Sequence, residues 1–398
     1  MKAVSFLVSC VIAGTLLPHA AHAQASLASA VEAAWGRSVQ MKSTAAQLEL
    51  AAAQESAAQS LWAAPPSVEL SHRTDKFQND LGRTESEVGL AWPLFLPGQR
   101  SARQSAALAE RGVAEATLAA AKLRLAGEVR EAAWSVVARE EELSIATRHA
   151  QGLEALAGDV ERRVKAGDLA RVDALAARAE FLAASAAAGE ARLRLATARA
   201  QWKQLAGMDQ VPDPAEGARP SPASHPELAL ATLTAQGAAS RNEVVRGSRM
   251  EPPELTVRYR RETIASGLPA ENTVGIAIRI PLGTSDRNLP REKAALAELE
   301  TAMAEQLRQQ RRLEGEAATA ALAVRIAEEQ AQAEGTRAEL LRERAALIEK
   351  SFRAGETALP ELLRASAASA QADAALAGQR AALGLSRARL NQVNGQMP

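Results

Sequence analysis

Two kinds of hydrophobic pattern alternate along this chain. Val274, Ile276, Ile278 and Ile280 alternate with Gly275, Ala277 and Arg279, a period of two that predicts a strand with one apolar face. Leu255, Val257 and Tyr259 alternate with Thr256, Arg258 and Arg260 just before it, after a stop at Pro252-Pro253. An earlier pair has the same form. Val68 and Leu70 alternate with Glu69 and Ser71, then Val88, Leu90 and Trp92 with Gly89 and Ala91, and the turn-prone stretch Asn79 to Thr84 lies between. Elsewhere the period is helical. Leu27, Val31 and Trp35 open an Ala-rich helical stretch that runs to about Trp62 and stops at Pro65-Pro66. Two further stretches, from about Ser101 to Lys165 and from about Arg291 to Arg353, contain no proline and read as unbroken helices. At 1.5 Å per residue each is about 100 Å long, which no globular domain requires. Leu125, Val129, Ala132 and Val136 in one, and Leu296, Leu299, Met303 and Leu307 in the other, have the spacing of coiled-coil seams.

These elements occur twice. Pro93 in Trp92-Pro93-Leu94 and Pro281 in Ile280-Pro281-Leu282 are 188 positions apart. So are Gly167 in Val164-Lys165-Ala166-Gly167-Asp168 and Gly355 in Phe352-Arg353-Ala354-Gly355-Glu356, and so are Gln204-Leu205-Ala206-Gly207 and Gln392-Val393-Asn394-Gly395. Three anchors in one register identify a duplicated unit, too long for a short solenoid module. The predicted first repeat is 24–207, with strands at about 66–77 and 84–92 and a helical hairpin at about 101–205. The second is 226–398, with strands at about 254–263 and 272–281 and a hairpin at about 291–393. The segment 208–225, with Pro212, Pro214, Pro220 and Pro222, reads as an irregular linker at the repeat boundary. Gly167 and Gly355 are placed to end one helix in a left-handed turn, with Asp168 or Glu356 favouring the start of the next.

Composition narrows the function. Met1-Lys2, an apolar run to Leu17 and the small-residue pattern Ala21-His22-Ala23 predict a signal peptide over 1–23, so the mature chain starts at Gln24. Leu7-Val8-Ser9-Cys10 offers a rival reading as a lipidation site at Cys10. The chain has 47 Lys and Arg, 47 Asp and Glu, and one cysteine. That balance argues against a nucleic-acid partner, and the lack of thiols beyond Cys10 excludes a disulfide framework or a Cys-based metal site. No segment after the signal has the length of a membrane helix, so any crossing of a membrane falls to the strands. His72, His149 and His225 lie far apart without metal-ligand spacing and read as solvated or locally hydrogen-bonded. No nucleophile motif is present, and no enzyme activity, cofactor or bound metal is expected.

The order of these features resembles the TolC-like outer-membrane channel family over essentially the whole mature chain. The residues that carry it are the strand pairs, Trp92-Pro93-Leu94-Phe95 to Gly98-Gln99-Arg100, and Arg163 to Asp168 followed by Val172-Asp173-Ala174-Leu175. Ile280-Pro281-Leu282 with Asp286-Arg287-Asn288 looks closest to the CzcC-like branch, which serves heavy-metal cation export. The resemblance implies a mainly α fold with a small β part. The duplicated unit of helix, strand pair and long helical hairpin would form a trimeric α-helical barrel, continuing into a 12-stranded outer-membrane β-barrel with four strands per chain. It implies a homotrimer as exit duct of a tripartite efflux system, with a periplasmic adaptor (membrane fusion) protein and an inner-membrane RND-type pump as partners. Val274, Ile276, Ile278 and Ile280 would then face outer-membrane lipid, and Arg279 water. It places the periplasmic entrance at the hairpin turns, where Asp173 and Glu361 each follow the turn glycine by six positions. Arg364 stands where the family's next acidic residue would be, and can pair with Glu361 or replace one acidic ring. Ala166, Gly167, Asp168, Leu169, Ala354, Gly355, Glu356 and Thr357 are the candidate adaptor contacts, although a turn role alone also accounts for them. Other readings are a drug or small-molecule channel of the same family, a periplasmic adaptor, and a secreted coiled-coil scaffold. The adaptor would show one hairpin, not two, and the scaffold leaves the strands unexplained.

Overall fold

A computed structural model describes residues 26–78, 80–217 and 225–398; the predicted signal peptide and Cys10 lie outside the described residues. Among those described, the order is α1 (Leu27–Arg37), α2 (Val39–Ala58), β1 (Ser67–Thr74), β2 (Thr84–Pro93), α3 (Gln99–Ala166), α4 (Arg171–Ala206), α5 (Pro226–Gly247), β3 (Glu254–Thr263), β4 (Glu271–Arg279), α6 (Ser285–Arg353) and α7 (Leu359–Val393). The 188-position offset superposes β1 on β3, β2 on β4, α3 on α6 and α4 on α7.

The helical stretch expected to run from Leu27 to about Trp62 is two helices. Ser38 takes an extended backbone and accepts the Met41 amide at 3.1 Å, capping α2, and α2 ends at Ala58. β1 ends at Thr74, short of the expected 77, because Asp75 starts a turn and accepts the Leu81 amide through its carboxylate at 3.0 Å. α6 begins at Ser285, ahead of the expected start at about Arg291, and so includes Pro290, which precedes the stretch read as proline-free. Its missing N–H falls close to the helix start, where few intrahelical bonds are lost.

The helices make one layer. α3 (68 residues) and α6 (69 residues) are the long members, about 100 Å each at 1.5 Å per residue. Along most of their length they are held apart, by α7 in the half near the turns and by α5 in the half near the sheet, and they meet at the turn end, where Arg163 of α3 lies over the Phe352 ring of α6. α4 and α2 flank α3 on its other side. The main core sits at mid-length, where Val129, Ala133 and Val136 of α3 pack on Leu27 and Val31 of α1 and on Leu195, Ala198 and Trp202 of α4. Alanine dominates the remaining contacts and lets the helix axes approach closely.

Two of the predicted seams fare differently. In α3, Val129 and Val136 are buried and Leu125 and Ala132 pack against them. In α6, Leu296, Met303 and Leu307 are exposed in the single chain, as are Leu322, Ile326, Leu340 and Leu347 further along. The α6 seam therefore has no partner within its own chain, because α6 is the last helix of the layer.

The described part of the repeat boundary is packed against the helices. The 208–217 segment has Met208 and Val211 against the main core. Beyond them Glu216 is 5% exposed and takes a two-pronged pair from Arg130, itself 2% exposed, at 2.7 and 2.9 Å. Arg130 also donates to Gln392 Oε1 at 2.6 Å and to the Gln396 carbonyl at 2.9 Å. One buried guanidinium thus ties α3, the linker and the end of α7 together, with four of its five N–H donors matched to acceptors, because a buried charge requires partners.

Candidate functional site

Three places stand out in the structure: the sheet, its junction with the helices, and the paired turns at the far end. The four strands form one antiparallel sheet in the order β1-β2-β3-β4, so β1 and β4 are unpaired edges. Its register aligns Val68, Leu90, Val257 and Ile276 in one row, Leu70, Val88, Tyr259 and Val274 in the next, and Trp92, Leu255 and Ile278 on the other side. Cross-strand partners share a face, so these residues form one apolar surface across the sheet. It is uncovered: Val274, Ile276 and Ile278 are 69, 74 and 62% exposed. Ile280, expected on this strand, lies one residue beyond β4 and is also exposed.

The opposite face is polar. Arg258 reaches Glu87 at 3.4 Å, and Arg260 reaches Glu85 at 3.5 Å and Glu262 at 2.5 Å. A sheet with an uncovered apolar face, a charge-paired second face and two open edges is the inside-out form of a soluble sheet, and fits a segment of a barrel in lipid. Strands of about ten residues match the length needed to cross at a tilt. The apolar band has aromatic ends. Tyr259 marks one, with its hydroxyl 3.0 Å from Asn272 Oδ1, and Trp92 marks the other, its ring centroid 6.4 Å from that of Trp62. Trp62 itself precedes Pro65-Pro66 and lies outside the strands. No helix among the described residues is long and apolar enough to cross a membrane.

At the junction, Gln99 is buried and spans three segments. Its Oε1 accepts the Leu96 amide at 3.1 Å and its Nε2 donates to the Gly247 carbonyl at 3.0 Å. In the second repeat Asn288 Nδ2 donates to the Arg249 carbonyl at 2.7 Å, and Arg287 pairs with Glu251 at 2.8 Å. Sheet and rods are therefore joined by side-chain to backbone bonds at both crossings. The Gly98-Gln99-Arg100 and Asp286-Arg287-Asn288 motifs hold these bonds.

The turns lie side by side. Gly167 and Gly355 have φ of +89° and +80°, the left-handed conformation that closes a helix. Asp168 donates its amide to the Arg163 carbonyl at 2.9 Å, and Glu356 its amide to the Ser351 carbonyl at 3.0 Å. Val160, Ala177, Phe352, Leu359 and Leu362 form a shared core between the two hairpins, with Leu169 against it and Arg163 over the Phe352 ring at 5.1 Å. Ala166, Gly167, Asp168, Ala354, Gly355 and Glu356 are exposed at the tips, while Leu169 and Thr357 are half-buried.

Asp173 and Glu361 occupy equivalent places, each at the third position of its helix. Asp173 Oδ2 accepts the Ala170 amide at 3.2 Å, a capping contact. Glu361 instead accepts Arg344 at 2.9 Å and Arg364 at 3.1 Å. Sequence reasoning named Arg364 and missed Arg344, which approaches from α6 and has no sequence proximity to reveal it. The 188-position equivalents of the two arginines are Leu156 and Ala176, so only the second turn carries this cluster.

The histidines remain apart. His72 Nδ1 lies 2.9 Å from Ser86 Oγ at the sheet. His149 lines a groove of about 390 Å³ between α3, α6 and α7 together with Arg148, Arg342, Glu349 and Asp373, and burial lowers its pKa. His225 caps α5 by accepting the Glu227 amide at 3.1 Å; burial lowers its pKa too, and its Nε2 has no hydrogen-bond partner. Among the described residues no group of three or more His, Cys, Asp or Glu could hold a metal ion.

Comparison with known proteins agrees with this geometry. Residues 30–208 match the family described as outer membrane efflux protein. The chain is 32% identical over 229 residues to the cobalt-zinc-cadmium resistance protein CzcC of Cupriavidus metallidurans, an alignment covering 54% of each chain. It therefore spans about half the length of that curated relative. The fold is that of solved outer-membrane channels. The outer membrane protein VceC from Vibrio cholerae superposes with a TM-score of 0.77 at 15% identity, covering 93% of this chain and 96% of that one. CusC superposes with a TM-score of 0.76 at 16% identity, covering 93% and 92%. The family match thus falls on the first repeat, and both repeats share the fold of the solved outer-membrane channels.

Proposed function

We propose that this chain is the outer-membrane exit duct of a tripartite efflux system, passing heavy-metal cations from periplasm or inner-membrane pump to the exterior. The observation that carries this reading is the sheet: apolar and uncovered on one face, polar on the other, and open at both edges. In lipid an unpaired edge is not tolerated, so four strands must close with those of other copies. Three copies give twelve strands, an even-numbered barrel of ordinary size. The helical layer asks for the same closure. The unpartnered apolar row of α6 borders one side, and Val172, Leu175, Leu182 and Leu193 of α4 are exposed on the other, so one copy's α6 meets the next copy's α4 in a ring. The rods then extend the duct by about 100 Å into the periplasm.

At the far end the turns form the entrance, and their exposed residues meet the periplasmic adaptor, which in turn joins an inner-membrane pump of the RND type. The duct supplies no energy of its own. Arg344, Glu361 and Arg364 link α6 to α7 and hold the resting entrance, which widens when the hairpins shift against each other. The metal reading rests on the similarity to CzcC; the same duct would also pass organic compounds. Deleting the gene and scoring tolerance to cobalt, zinc and cadmium salts beside a panel of organic toxicants tests it. Loss of metal tolerance alone is expected. Sensitivity confined to organic compounds would move the substrate to that class.

A further inference from the structure

Between α2 and β1 the chain makes a bend, residues 59–66, that belongs neither to the rods nor to the sheet. Its two large apolar side chains face outward: Leu61 is 72% exposed and Trp62 37%. The bend is held in place. Ala63 donates its amide to the Pro93 carbonyl at 3.0 Å, Arg103 Nη1 donates to the Ala63 carbonyl at 2.8 Å, and Arg100 Nη2 to the Gln59 carbonyl at 2.9 Å. Pro65 and Pro66 restrict the backbone that leads into β1. Bonded to the end of β2 and to the start of α3, the bend has a set height relative to both.

Its direction follows from Trp92. The register puts Trp92 beside Leu255 and Ile278 on the uncovered apolar face, and the Trp62 ring lies 6.4 Å from the Trp92 ring. The apolar face therefore runs on past its last paired row into the bend. Positive charge begins at the same level. Arg100 and Arg103 bond to carbonyls, and Arg103 lies over the Phe95 ring at 5.2 Å, but neither has a carboxylate at ion-pair distance among the described residues. Aromatic and aliphatic groups followed by uncompensated guanidiniums form the composition of a membrane–water boundary, where long cationic side chains reach the lipid phosphates.

We propose that the 59–66 bend is a foot set in the periplasmic headgroup layer of the outer membrane, with Leu61 and Trp62 at the edge of the acyl chains and Arg100 and Arg103 against phospholipid phosphates. This rests on the reading of the sheet as a barrel wall in lipid. A phospholipid is the occupant because apolar surface and charge sit together here. Free phosphate would meet the arginines alone and leave Leu61 and Trp62 in water. The depth at which the rods begin is then set by a segment outside the strands.

The test is a nitroxide at Leu61→Cys in the full chain, whose single natural cysteine, Cys10, lies in the predicted signal segment. The protein is reconstituted in phosphatidylcholine vesicles with and without phosphatidylglycerol. Collisions with oxygen, which partitions into lipid, against those with a water-soluble nickel chelate give the depth of the label, and Ile276→Cys is the reference inside the apolar band. The foot predicts a Leu61 label at phosphate level, deeper when phosphatidylglycerol is present, with that difference lost in Arg100→Gln and kept in Arg100→Lys. A Leu61 label met freely by the chelate, or shielded from both reagents by a neighbouring copy, overturns the foot, while an oxygen-exposed Ile276 label leaves the barrel wall standing. An unchanged lipid difference in Arg100→Gln overturns the phosphate contact. An Ile276 label in water overturns both foot and wall.

Discussion

Glu361 shows how much one side chain's neighbours decide. A bare carboxylate repeated around an axis attracts cations, but here Arg344 and Arg364 both bind it, so each copy brings two positive charges to one negative. Replacing both arginines with alanine should expose the carboxylates. Planar-bilayer recordings should then show higher conductance and a shift towards cations; unchanged selectivity would make the three residues ordinary solvated helix charges. His225 gives a pH prediction. Its folded pKa lies below the ordinary value of about 6.5 because burial disfavours the imidazolium. The unfolded chain therefore takes up the proton first as pH falls. Stability that is complete above about 6.5 is lost between there and the lower folded pKa. His225→Asn keeps a capping acceptor for the Glu227 amide and removes the titration, so its melting temperature should fall less between pH 7 and pH 5 than that of the parent. An identical acid slope would assign the loss to other groups.

At the scale of elements, the sheet is the sensitive test. Ile276 sits in the middle row with Val257, Leu90 and Val68, so Ile276→Lys puts a charge near the bilayer centre at a cost of about 2–4 kcal/mol per copy. Detergent-resistant oligomer should be lost while Thr273→Lys on the polar face is tolerated; equal tolerance of both would deny that the apolar face meets lipid. Much of this level was legible from sequence. The alternation at Val274 to Ile278 displays the strand directly, and Gly167 and Gly355 mark turns because a left-handed residue is a local requirement. What sequence could not show depends on long-range approach. Arg344 reaches Glu361 from another helix, and Arg130 meets Glu216 and Gln392 across the repeat boundary. The break at Ser38 is carried by Gly36 and the Ser38 cap, local signals that the helical period running on from Leu27 to Trp35 overrode. The α6 seam was visible as a pattern, but its spacing does not say whether the partner is the same chain or another.

At the scale of the molecule, the single chain is an incomplete object: an open sheet, and a helical layer with apolar groups on both flanks. Its two halves have the same ends to satisfy, and three copies in a ring satisfy all of them at once. The most direct measurement of this is native mass determination on protein extracted from the separated outer-membrane fraction of expressing cells. The account predicts a trimer found in that fraction. A soluble periplasmic monomer or dimer would contradict it and leave the long helices to be explained as a coiled-coil scaffold.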